Sequence, residues 1–117
     1  MAQEATKIAQ RHGLEIEVLG PADLRAGGYN LLLGVASGSA QPARLIKLRH
    51  RGRQIAGTAA QEDGVVLALI GKGITFDTGG ISLKDPASMS QMKADMAGAA
   101  AVLAAIDVIA EIGRAHV

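Results

Sequence analysis

The chain has 117 residues, of which 49% are hydrophobic and 20% charged, with a formal net charge of +1 and no cysteine. That length suits one small domain or a piece of a larger one, and the missing thiols exclude disulfides and cysteine chemistry within it. Aromatic residues are limited to Tyr29 and Phe76, so the core has to be built from Leu, Ile, Val, Ala and Met, and a base-stacking nucleic-acid platform is disfavoured.

Residues 2–12 carry Ala5, Ile8 and Ala9 at helical spacing, and Gly13 follows as a stop signal. Residues 14–19 alternate apolar and charged side chains, as a half-buried strand does. Pro21 opens a second short helix that runs through Leu24 and ends at Gly27-Gly28. Residues 31–35 form a short apolar segment, strand or helix, and Ser37-Gly38-Ser39 is a turn. Residues 45–49 are another strand candidate. Arg44, Lys47, Arg49, His50, Arg51 and Arg53 cluster around it; a solvated strand end and loop is the plainer reading, an anion patch the sharper one. Residues 51–64 are polar, contain Gly52 and Gly57, and read as a connecting loop.

Residues 65–70, Val-Val-Leu-Ala-Leu-Ile, show no alternation, the mark of a central strand covered on both faces. The run is far too short to span a bilayer, and no secretory signal precedes it. Residues 89–109 then carry Met89, Met92, Met96, Leu103, Ile106 and Ile109 at helical spacing, and residues 97–105 are small and apolar almost all round, which predicts a buried helix. Helices alternating with strands give an α/β fold with a central mixed, largely parallel sheet flanked by helices. Residues 111–117, Glu-Ile-Gly-Arg-Ala-His-Val, break the helical run and match what a common sequencing adapter encodes in one frame. They are expected to be a non-native tail, with residues 1–110 the native part and His116 without function.

The chemistry concentrates in Gly71-Lys72-Gly73-Ile74-Thr75-Phe76-Asp77-Thr78-Gly79-Gly80, followed by Ile81-Ser82-Leu83-Lys84 and by Lys93-Ala94-Asp95-Met96. Lysine and carboxylate together at the end of a buried strand are costly unless something completes the charge balance. Ligands of open α/β sheets bind at the strands' carboxyl ends, where Lys72 would stand, and Asp95 falls early enough in the long helix to project to the same place. Two structural Lys–Asp salt bridges would also account for the four charges. A phosphate cradle is a third reading, but Gly73 follows Lys72 where a P-loop has Ser or Thr, and the upstream glycine spacing is absent.

These motifs, with Gly38-Ser39-Ala40 and Pro42-Ala43-Arg44-Leu45-Ile46 upstream, resemble the core of the leucyl aminopeptidase (cytosol aminopeptidase) family of two-metal peptidases. The match is continuous over residues 71–103 and looser toward the N-terminus. The resemblance implies that Lys72 gives a neutral amine to one of two divalent ions, Mn²⁺ or Zn²⁺, that Asp77 bridges both, and that Asp95 shares the ion of Lys72. It implies that Lys84 binds the substrate and stabilises the oxyanion rather than ligating metal, and that Met92 lines the pocket for the substrate's first side chain. A metal-bound lysine has to shed its proton, which an adjacent dication favours, whereas an oxyanion stabiliser keeps its proton. The family's activity is hydrolysis of N-terminal residues, leucine-like ones preferred, from peptides in the cytoplasm by a homohexamer, with no nucleic-acid or membrane partner.

Two features depart from the family. Its downstream Asn-Thr-Asp-Ala-Glu-Gly-Arg motif, which supplies further carboxylates and an arginine for a catalytic bicarbonate, does not occur in this sequence, and neither does its N-terminal domain. The chain is therefore expected to be a fragment of the catalytic domain, inactive alone. Asp85 stands where the family has proline, one position before Pro86; it either pairs with Lys84 or points to solvent. Ala97 replaces a common glycine. The alternative from another class is a nucleotide- or phosphate-binding α/β module using the loop of residues 71–80 as an anion cradle, and a third reading is a non-enzymatic remnant that packs against partners.

Overall fold

The computed structural model describes residues 1–51 and 66–115. They fall into two compact units, Met1–Arg49 and His50–Val117.

In the first unit, helix α1 spans Ala2–His12 and buries Ala5, Ile8 and Ala9, the stripe its spacing predicts. Gly13 ends it in the left-handed conformation at φ 66°, which costs glycine nothing. Strand β1, Glu15–Leu19, pairs antiparallel with β2, Leu45–Arg49, placing Glu17 opposite Lys47. Lys47 Nζ lies 2.8 Å from Glu17 Oε2, and that hydrogen bond pushes the Lys47 pKa up. Helix α2, Pro21–Ala26, begins where the Gly20 N–H donates to Asp23 Oδ2 at 2.9 Å, and its Leu24 is fully buried. The Tyr29 ring lies over Gly27, so close that a Cβ there would come within 2.6 Å of it. The apolar segment left open by its sequence is helix α3, Asn30–Ala36. In the basic cluster, Lys47 is paired and the Arg44 guanidinium donates to the Ala43 carbonyl; Arg53 and, of the loop expected over residues 51–64, all but Arg51 lie outside the described residues.

The second unit departs from expectation at residues 66–70 and along the long helix. Residues 66–70 form no strand: they pair with no other described residue in a ladder, and Val66 and Ile70 are 84% and 93% exposed. Val65 lies outside the described residues. A strand covered on both faces needs neighbours on both edges and helices above and below, and none of the described residues supplies them. The sheet found among the described residues is the two-stranded antiparallel β1–β2 pair, so the mixed α/β content is present without the central, largely parallel sheet.

The long helix is broken. Helix α4 spans Pro86–Ser90, a 3₁₀ turn follows over Gln91–Ala94, and helix α5 covers Ala97–Ala115. Asp95, at φ −68° and ψ −5°, closes the 3₁₀ turn by donating its N–H to the Met92 carbonyl, which interrupts the helical ladder at Asp95-Met96. The alanine-rich part of α5 is not the buried helix its composition predicts; among the described residues of α5 only Ala110 is fully buried. Helix α5 also runs on through Glu111, Ile112 and Gly113, so the helical run does not break there. By length and composition alone the stretch Pro86–Gly113 could cross a membrane, but it carries the Asp95 interruption within it.

Candidate functional site

The four charged residues singled out by the sequence all lie in the second unit and associate in two pairs. Residues 71–73 run along the first turn of α5. The helix has Met96 at its cap position, where the Met96 carbonyl accepts from the Ala100 N–H at 3.0 Å. A thioether cannot satisfy the first-turn amides that every helix leaves open. The Lys72 carbonyl does so instead, accepting from the Ala99 N–H at 2.9 Å. From that docked backbone the Lys72 side chain reaches Asp95, with Nζ 2.7 Å from Oδ1. The Lys72 side chain is 57% exposed and that of Asp95 only 16%. The second Asp95 oxygen, Oδ2, is buried with no hydrogen-bond partner. A buried carboxylate oxygen left unsatisfied is uncommon and calls for a reason.

The second pair closes a tight loop. Asp77 Oδ1 accepts from the Gly79 N–H at 2.8 Å, the Lys84 N–H donates to the Thr78 carbonyl at 3.0 Å, and Lys84 Nζ donates to Asp77 Oδ2 at 3.0 Å. Gly79 sits at φ 91°, and a Cβ there would collide with the Ser82 carbonyl, so the loop closes only around glycine. The Lys84 hydrogen bond, the Gly79 amide and then the charges of Lys84 and Lys72 hold the Asp77 carboxyl below its usual range. Lys72 thus acts electrostatically on Asp77 while pairing with Asp95.

Lys84 is followed directly by Asp85, which caps α4. Asp85 Oδ1 accepts from the Ala87 and Ser88 N–H groups at 3.0 Å each, and the Ser88 hydroxyl donates to Oδ2 at 2.6 Å. The Ser88 contacts hold the Asp85 carboxyl below its usual range; Asp85 is exposed, as the solvent-facing reading expects, and it caps the helix while Lys84 pairs with Asp77. The signal was present in the sequence as Asp directly before Pro at a helix start. Met92 is half-buried in the 3₁₀ turn. Among the described residues no three His, Cys, Asp or Glu side chains gather into a metal-holding group; the donors here are two carboxylates and a lysine amine.

The arrangement is poorly suited to phosphate. Both lysines are already paired with carboxylates, and the Gly79 amide is turned onto Asp77. Comparison with known proteins decides the family: residues 1–117 match the catalytic domain of the cytosol aminopeptidase family over their whole length. The chain belongs to the cytosol aminopeptidase family. It is 49% identical over 109 residues to a probable cytosol aminopeptidase of Alkaliphilus oremlandii, covering 93% of this chain and 20% of that protein. It is 48% identical over 112 residues to one of Halorhodospira halophila, covering 95% and 21%, and 46% identical over 112 residues to one of Mycobacterium ulcerans, covering 96% and 21%. The chain therefore spans about a fifth of the length of the curated relatives it matches. Residues 1–117 match the catalytic domain of a peptidase family, and that match gives the phosphate-binding alternative no support.

Proposed function

We propose that these residues form the first part of the active site of a two-metal aminopeptidase that removes N-terminal residues, leucine-like ones preferred, from peptides. The observation that carries the reading is Asp95: one oxygen rests on the Lys72 ammonium and the other is buried and unpartnered. A carboxylate with one buried, unpartnered oxygen beside a lysine fits a cation-binding position. The donor set of one amine nitrogen and carboxylate oxygens suits Mn²⁺ or Zn²⁺ better than Ca²⁺.

In this reading Lys72, as its neutral amine, and Asp95 would hold one ion, and Asp77 would contribute its carboxylate to the pair. A pair of divalent ions, when bound, supplies carbonyl polarisation and a water made nucleophilic at neutral pH. Lys84 exchanges Asp77 for the substrate, and its ammonium stabilises the negative charge that develops on the scissile carbonyl oxygen. The Thr78 carbonyl and the Asp85 cap hold the Lys84 backbone on both sides, so only the side chain has to move. Met92 offers an apolar wall to the substrate's first side chain. The further carboxylates, an arginine for bicarbonate and the strands that would flank residues 66–70 in a largely parallel sheet belong, in this proposal, to other parts of a longer polypeptide that acts as a cytoplasmic homohexamer. Residues 86–113 then pack within protein rather than in a membrane, because Lys93 and the ion-paired Asp95 lie in that stretch.

The test uses the complete polypeptide carrying these residues and a leucyl chromogenic substrate. Lys84→Ala is expected to cut turnover with metal content near normal, and Lys72→Ala to lower occupancy of one metal position. Equal metal loss in both variants would contradict the assigned roles.

A further inference from the structure

The Lys72 amine sits at the tip of a flexible stem, and its side chain is more than half exposed. Little holds it from the side. What places it is its backbone, which lies directly on the first turn of α5. A Cβ added to Gly71 would collide with the Gly98 carbonyl and come 2.7 Å from the Ala99 Cα. A Cβ added to Gly98 would come 3.2 Å from the Lys72 nitrogen, and one added to Gly73 would come 3.2 Å from the Ala99 Cβ. Three glycines thus allow two stretches of main chain to touch, and the Ala99 N–H to Lys72 carbonyl bond locks them together. Asp95 lies just before α5, so the same contact sets the distance between its carboxylate and the Lys72 amine.

We propose that Gly71 and Gly98 are positioning residues: their backbone contact, with Gly73 against Ala99 beside it, holds Lys72 and Asp95 at the separation needed to share one divalent ion. This rests on the reading of Lys72 and Asp95 as metal ligands. Donors of a metal site have to be held within about 0.5 Å of their productive positions, and a side chain as mobile as lysine meets that demand only if its main chain is fixed. At Gly71 the obstructing atoms are backbone and cannot rotate away. At Gly73 the obstruction is one methyl group, which a second substitution can remove.

The experiment measures Zn²⁺ affinity of the complete polypeptide by competition with a chromogenic chelator, with circular dichroism as a check on folding. Gly71→Ala is expected to weaken the Zn²⁺ position that Lys72 and Asp95 would share by about 100-fold, the upper end for loss of a residue that supports metal ligands. Gly98→Ala and Gly73→Ala are expected to weaken it by about 10-fold, and Ala99→Gly added to Gly73→Ala should restore it to within about twofold of the unaltered protein, a recovery that general destabilisation would not produce. Lys72→Met serves as the reference. Unchanged Zn²⁺ binding in Lys72→Met would overturn the ligand reading itself. Loss of Zn²⁺ in Lys72→Met with unchanged binding in a folded Gly71→Ala protein would overturn the positioning role alone. If Gly71→Ala does not fold, the Gly73 pair decides: weakening reversed by Ala99→Gly supports the proposal, and no weakening, or weakening that Ala99→Gly does not reverse, overturns it.

Discussion

Lys72→Met in the metal-free 117-residue chain isolates the pair on which the site reading rests. The substitution keeps the length and apolar stem of the side chain and deletes the ammonium that lies 2.7 Å from Asp95 Oδ1. It leaves a carboxylate whose side chain is only 16% exposed and whose Oδ2 already lacks a partner. Exposed ion pairs are worth about 0.2–1 kcal/mol, whereas breaking a buried one by removing a single partner costs about 3–5 kcal/mol. With Lys72 on the exposed side and Asp95 on the buried side, the expected loss lies between, at about 2 kcal/mol. In an Asp95→Asn background there is no charge to strand, and the same Lys72→Met change should cost about 0.5 kcal/mol. The difference, about 1.5 kcal/mol, is the coupling that a double-mutant cycle reads. Urea titrations followed by circular dichroism, at low micromolar protein and with chelator present, give the four stabilities. Equal cost of Lys72→Met in both backgrounds, within about 0.3 kcal/mol, would mean that the pair is not formed and that Asp95 is stabilised by something else.

Acidification should remove the contribution of Asp77: its pKa is lowered on folding, so the stability it gives is present above the ordinary carboxylate range and lost as pH falls through the lowered value. An acid series of thermal midpoints should therefore fall less steeply for Asp77→Asn than for the unaltered chain. Leu24→Ala, which empties a position with no exposed surface, should destabilise the first unit by about 2–5 kcal/mol, read by urea titration. Residues 1–117 given Mn²⁺ or Zn²⁺ and a leucyl substrate should be silent, and light scattering should rise with protein concentration because residues 66–70 present an unpaired apolar run; metal-dependent turnover by a monodisperse chain would show that fewer residues suffice.

The first unit was legible because its signals are local. Ala5, Ile8 and Ala9 at helical spacing with Gly13 behind them specify their helix locally, and the alternation over residues 14–19 marks a strand whose partner, residues 45–49, carries its own strand signal. The apolar run 66–70 was not, because absence of alternation says only that a segment would be covered on both faces, and cover comes from elsewhere. The helix break at Asp95 was hidden for the opposite reason: apolar spacing continues through Met92 and Met96 on either side of it. The four charged residues could be named from their sequence, but not their pairing. That depends on where main chains touch, at Gly71 with Gly98 and at Thr78 with Lys84, and a glycine in a sequence does not announce which backbone lies against it.

The scarcity of aromatic residues has an optical consequence. Tyr29, folded over Gly27, belongs to the unit Met1–Arg49, and Phe76, directly before Asp77, belongs to the other. With no tryptophan in the chain, tyrosine emission comes from one ring and is not drained by energy transfer, so it reports on the first unit alone. Phe76 is half exposed, and Phe76→Trp would set a single, separately excited indole beside the Asp77–Lys84 loop. The unaltered chain read by tyrosine and the Phe76→Trp chain read by its indole, excited where tyrosine does not absorb, would then show whether the two units melt together or apart.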